Sequence, residues 1–232
     1  MSKGVLLVNL GSPNSPSVPD VRRYLREFLM DGRVLDVNWL ARFCIVHFAI
    51  LPTRPKQSAE AYEKVWTAAG SPLIATSRNV RNKLQEHVNI PIELAMRYQN
   101  PSIPDAVAKL AQKGVDELLL IPLFPHYAMS SFETAVERVR EVAAQVAPRM
   151  RIEVQPPCLL KRERRADDAR GVADDEPHLL GRAQRARDEQ IALVFAVVVV
   201  GDDHDLAARE GGDCLLDVAL RAVVHGGDPT PL

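Results

Sequence analysis

Apolar and polar positions follow two periods along the first 157 residues. Val5-Leu6-Leu7-Val8 is an unbroken apolar run that closes on Asn9-Leu10-Gly11-Ser12-Pro13. So short a run predicts a strand buried on both faces, as at the centre of a parallel sheet. Gly11 permits a sharp turn, and Pro13 cannot donate to a ladder. Over Val18–Leu29 the spacing becomes helical, with Val21, Tyr24, Leu25, Phe28 and Leu29 on one face and Arg22, Arg23 and Arg26 on others. Asp31-Gly32 stops that helix. Residues 39–51, Trp39 to Leu51, are apolar almost all round, broken only by Arg42 and His47, and end at Pro52-Thr53-Arg54-Pro55. Two readings of this stretch stand at this point: a buried helix, or a pocket lip touching a greasy ligand or a membrane surface.

Further helical patterns cover 56–68, ending at Gly70-Ser71-Pro72, and 77–88, which is more polar. Residues 92–96 read as a short buried strand followed by Arg97-Tyr98-Gln99-Asn100-Pro101. Ser102 is a good N-cap for a helix that stops at Gly114. Residues 117–121 form a second apolar strand, leading into Pro122-Leu123-Phe124-Pro125-His126-Tyr127. A helix over 131–146 and a short strand at 151–154 complete the series. Four strands alternating with helices predict an α/β fold with a four-stranded parallel sheet flanked by helices.

In such a sheet, ligands gather beyond the carboxyl ends of the strands. The loops there are 10–13, 97–101 and 122–127, and they carry Ser12, Arg97, Tyr98, His126 and Tyr127. One Arg and two Tyr rings facing an apolar lip suit a flat, hydrophobic ligand bearing a carboxylate. The Arg would meet the carboxylate and the rings would pack on the flat face. A surface ion pair for Arg97 and core packing for Tyr98 and Tyr127 are the plainer alternatives.

Composition narrows the function classes. Apolar residues make up 47% of the 232-residue chain and charged residues 25%, and the net charge is −1, which gives no case for a nucleic-acid partner. Cys44, Cys158 and Cys214 are too scattered for a disulfide framework or an iron–sulfur motif, so a cytoplasmic setting is expected. The N-terminus lacks the pattern of a signal peptide, and neither 39–51 nor 191–200 reaches the roughly 18 residues that span a bilayer. His47 and His87 read as structural or exposed. His204, between Asp203 and Asp205 and next to Asp202, invites a metal reading, but adjacent acids point different ways on any regular element. His178 and His225 make no better case.

Six segments taken together resemble the ferrochelatases, which insert ferrous iron into a porphyrin: Leu7-Val8-Asn9-Leu10-Gly11-Ser12-Pro13, Arg54-Pro55-Lys56, Ala59-Glu60-Ala61-Tyr62, Gly70-Ser71-Pro72-Leu73, Met96-Arg97-Tyr98-Gln99-Asn100-Pro101 and Pro122-Leu123-Phe124-Pro125-His126-Tyr127. The resemblance runs from residue 1 to about 157. It implies a chelatase-like, Rossmann-type unit that is normally followed by a second, similar half. It implies a porphyrin, protoporphyrin IX or coproporphyrin III, and ferrous iron as substrates, with no permanently bound cofactor. Leu10 matches the position set against the porphyrin face opposite the catalytic histidine, where Leu cannot be an axial ligand. Gly11, Ser12 and Pro13 belong to the same floor. Arg54, Tyr62 and Ser71 match positions contacting the porphyrin or its propionates, and Arg97 and Tyr98 match an inner-pocket pair. Tyr127 ends the last matching loop. The stretch 39–51 matches the apolar lip, which implies a peripheral membrane contact.

The resemblance stops at Gln155-Pro156-Pro157. The family's second half carries a Ser-Phe-His-Gly-Leu-Pro type motif and a later acidic residue, the metal-handling and proton-accepting groups, and neither occurs in this chain. Residues 159–232 hold no Ser, Asn, Tyr, Trp or Met. The expected organisation is one domain over 1–157 and an atypical tail over 158–232. That tail is either a frameshifted or misjoined translation or a divergent strand with an acidic loop. Two functions follow as expectations: a ferrochelatase that inserts iron with release of two protons, or a non-catalytic half-domain that binds porphyrin without the catalytic His and acid. The catalytic and metal-binding residues stay unassigned.

Overall fold

A computed structural model describes residues 2–157. The expectations that concern 158–232, including the His204 cluster, lie outside the described residues. Strands β1 (Lys3–Gly11), β2 (Ile92–Tyr98), β3 (Glu117–Pro122) and β4 (Arg151–Val154) form one parallel sheet in the order β2-β1-β3-β4. This is the four-stranded α/β architecture that the alternating pattern predicts.

The centre of the sheet is β1, paired on both edges and buried on both faces. Side chains alternate across a strand. Leu6 and Val8 therefore enter one apolar layer with Val107 and Leu110 of α5 (Ile103–Gln112) and Val136 and Val139 of α6 (Thr134–Val146). Val5 and Leu7 enter the opposite layer with Ile74 and Leu84 of α4 (Pro72–His87). An unbroken apolar run is what two covered faces require.

Local chemistry sets the helix starts. Ser17 caps α1 (Val18–Leu29) by accepting from the Asp20 N–H, with Pro19 in the first turn. Ser102 caps α5 in the same way through Asp105, with Pro104 in its first turn. The buried face of α1 is Val21, Tyr24, Leu25 and Phe28. The stretch 39–51 is helical, as α2 (Trp39–Cys44) and a π-helical continuation over Ile45–Ile50. It is not the buried helix of the first reading: Trp39, Leu40 and Phe48 are 62%, 64% and 74% exposed, while Val46 and Leu51 are buried. The helical patterns after it become α3 (Arg54–Val65) and α4. A second π-helical segment, Met129–Glu133, leads into α6. No helix among the described residues is long and apolar enough to cross a membrane.

A third apolar cluster lies at the carboxyl end of the sheet. It joins Val21, Tyr24, Leu25 and Phe28 of α1, Val46 and Leu51 of the lip, Ala59 of α3 and Tyr98 of β2, with Leu10 and Tyr62 partly buried against it. Through this cluster the lip is held at the carboxyl end of β1 and β2.

Candidate functional site

The floor is built where β1 ends. Gly11 pairs with Tyr98 across the β1–β2 ladder at φ +112°, and a Cβ placed on it would lie 2.1 Å from the Tyr98 carbonyl oxygen. No side chain fits that close approach of two backbones. Just before it, the Asn9 carboxamide accepts from the Leu10 N–H at 2.8 Å and donates to Ser77 Oγ at 3.1 Å, which ties the floor to α4. Leu10 is half-buried, and Pro13 is buried. Ser12 is buried, and its hydroxyl meets no hydrogen-bond partner among the described residues. A buried, unsatisfied hydroxyl is uncommon and calls for an explanation such as a bound ligand.

The end of β2 carries the densest polar chemistry. Arg97 Nη2 donates to Asp31 Oδ2 at 2.5 Å, and Arg97 Nε donates to Thr134 Oγ1 at 2.7 Å and to the Thr134 carbonyl at 3.2 Å. The Tyr98 hydroxyl donates to the same Asp31 oxygen at 2.9 Å, and the Thr134 hydroxyl also donates to it. Asp31 Oδ1 accepts from the Arg33 N–H at 2.8 Å. The guanidinium lies 4.4 Å from the centre of the Tyr98 ring. The carboxylate that Arg97 meets in this fold is thus Asp31's own.

Electrostatics follow from the packing. Burial alone would raise the Asp31 pKa, but the bonds from Thr134 and Arg33, the Arg97 charge and the Tyr98 bond together hold it below the usual carboxylate value. Burial pushes the Tyr98 phenol well above its ordinary value, so it stays protonated and donates. Burial likewise raises Tyr62, to about 12.

The remaining predicted residues divide. The Tyr62 ring meets those of Tyr24 and Trp66 edge-on. It belongs to the third apolar cluster, which includes Leu10 and Tyr98. Tyr127 is half exposed, and its hydroxyl donates to Glu133, which accepts from Arg33 Nε at 3.4 Å. Glu133 precedes Thr134, so the β3 loop, the loop after α1 and the start of α6 are stitched to one another. Arg54 is exposed at the first residue of α3, and Ser71 is buried as the N-cap of α4. Among the described residues, neither shares a hydrogen bond with the Arg97 cluster.

The lip bears an aromatic row at helical spacing. Trp39 and Phe43 stack at 5.5 Å, Phe43 and His47 at 4.1 Å, and His47 Nδ1 lies 3.1 Å from the Phe43 carbonyl oxygen. Between this row and Arg23, Arg26 and Met30 of the α1 side runs an open groove of about 570 Å³ that reaches Gln99.

Sequence reasoning overlooked Asp31, Thr134, Arg33 and Glu133. Asp31 read as a helix stop, and that role is real. The available signal was indirect: an inward-facing Arg at a strand end needs a carboxylate partner. Among the described residues, no group of three or more His, Cys, Asp or Glu side chains is arranged to hold a metal ion.

Comparison with known proteins adds identity to this geometry. The Ferrochelatase family model matches residues 2–157. A protein named Ferrochelatase from Opitutus terrae is 55% identical over 159 residues, covering 67% of this chain and 46% of that protein. One from Coxiella burnetii is 49% identical over 139 residues, covering 59% and 39%, and one from Azotobacter vinelandii is 47% identical over 160 residues, covering 68% and 47%. The chain spans about half the length, or less, of the curated relatives it matches.

Proposed function

Since this chain belongs, over residues 2–157, to the ferrochelatase family, we propose that its described domain is the porphyrin-binding wall of heme-forming chemistry, with ferrous iron as the other substrate. The observation that carries this reading is the lip: large apolar side chains stand exposed on a helical stretch packed against the carboxyl ends of β1 and β2. Exposed apolar groups grouped at a site mark a surface built to be covered. A flat macrocycle laid against Leu10 and the lip gains burial at roughly 25 cal/mol per Å² of apolar area. Gly11 to Pro13 form the floor, the wholly buried Tyr98 backs it from the core, and Tyr127 stands at the rim. Arg54 and Ser71 are the candidates to meet the porphyrin's carboxylates at the margin. A peripheral membrane contact through the same lip belongs to this proposal, as does a cytoplasmic place of action.

Iron insertion further requires that two pyrrole protons be removed by a base near the ring nitrogens. The family's histidine motif and later acid are absent from this sequence, so the reading favoured for the chain as written is binding without turnover. The test is a titration of protoporphyrin IX and coproporphyrin III followed by porphyrin fluorescence. Saturable quenching that Phe48→Ala and Trp39→Ser weaken supports the binding wall. Quenching indifferent to both substitutions removes the lip from the site.

A further inference from the structure

We propose that Asp31 occupies Arg97 and compensates its charge, so that the end of β2 offers no anchor for a ligand carboxylate. The proposal rests on the porphyrin-binding reading for its ligand, and on the protein's own contacts for the pairing.

Three donors from two elements converge on a single oxygen of Asp31: Arg97 and Tyr98 at the end of β2, and Thr134 at the start of α6, with Asp31 itself in the loop after α1. The other carboxylate oxygen is held by the Arg33 N–H. The side chains of Arg97 and Asp31 are only 15% and 7% exposed. Water therefore screens the pair weakly, and their charges cancel at close range. Arg97 is also fixed in direction: Nε is committed to Thr134 and Nη2 to Asp31, with the plane seated on the Tyr98 ring. With Nε and Nη2 committed and its charge compensated at close range, Arg97 has little left to offer a second carboxylate. A propionate docking there would have to displace an internal carboxylate already satisfied on both oxygens. In this arrangement Asp31 is a positioning residue that also sets selectivity, sorting the charged from the uncharged margin of the ligand.

The decisive measurement compares protoporphyrin IX with its dimethyl ester, by fluorescence quenching of the purified chain. The double variant Asp31→Asn/Arg97→Gln removes both charges together. Its affinities for the two ligands should fall in parallel, their ratio holding within about twofold. Asp31→Asn alone should shift that ratio toward the free acid by about tenfold or more, because a charge-assisted bond becomes available. A selective loss of free-acid binding in the double variant overturns the proposal, since Arg97 would then be the carboxylate anchor. A second arm needs no porphyrin. Phenylglyoxal labelling read by peptide mass spectrometry should modify the exposed Arg54 and spare Arg97 in the unaltered protein. Labelling of Arg97 as fast as Arg54 overturns the pairing. If neither porphyrin form binds while Arg97 stays protected, the binding reading fails and the pairing stands. Should Asp31→Asn fail to fold by circular dichroism, the charge-neutral double variant and the labelling of the unaltered protein still decide.

Discussion

At the residue scale, two positions carry requirements that no substitution meets. Gly11 combines a left-handed φ with a backbone approach that leaves no room for Cβ. Gly11→Ala should therefore cost on the order of 3 kcal/mol in urea unfolding, from strain and steric displacement of β2. A loss under about 0.5 kcal/mol, the level of a neutral surface change, would show that the turn relaxes freely. Asp31 is the second. Its folded pKa is depressed, so its ionised form is favoured in the native state. The stability it contributes is complete above the unfolded value of 3.8 and is lost as pH falls through the lower, folded value. Removing the carboxylate from this buried pair should cost about 3–5 kcal/mol. The stability of the unaltered protein should fall with acid as pH drops below 3.8 and through the folded value, and Asp31→Asn should flatten that limb; identical acid profiles would separate Asp31 from the acid response. The chemistry of Arg97 was legible as a demand for a carboxylate, but the partner was not, because 66 residues of chain separate Arg97 from Asp31.

At the element scale, the lip separates two roles along one helical stretch. Val46 is wholly buried in the third apolar cluster, whereas Phe48, two residues on, is 74% exposed. Val46→Ala should destabilise the domain by about 2 kcal/mol through the void it leaves. Phe48→Ala should change stability by less than about 0.5 kcal/mol, as exposed substitutions do. Thermal unfolding measured for both variants checks the contrast, and equal losses would place Phe48 in the core. Pattern alone left this stretch open between a buried helix and a lip, since an all-round apolar sequence satisfies both. The strands were clearer. The apolar segments of β1, β2 and β3 have no helical alternative of sufficient length, β4 alternates polar and apolar residues, and all four strands lie where those patterns predict. The helix starts at Ser17 and Ser102 were similarly plain, because a cap needs only its own first turn.

At the scale of the whole molecule, the proposed walls and floor of the site lie in the described domain, and the sequence lacks the Ser-Phe-His-Gly-Leu-Pro type motif to which the resemblance assigns the family's base. Loss of a general base costs about 10²–10⁴-fold in rate. The purified chain should accordingly form no heme from ferrous iron and porphyrin above the uncatalysed background, even where quenching reports binding; robust heme formation would require a base among residues such as His126. Periodicity and turn chemistry, which act over a few neighbouring residues, determined the α/β class, the burial of β1 and the loops at the strand ends. Six short motifs determined the family. Tertiary structure alone decided which face of the lip is bare, that the Ser12 hydroxyl is enclosed without a partner, and that the charge of Arg97 is answered from within. Each of these depends on groups brought together across tens of residues, where burial and charge pairing, rather than local propensity, set the outcome.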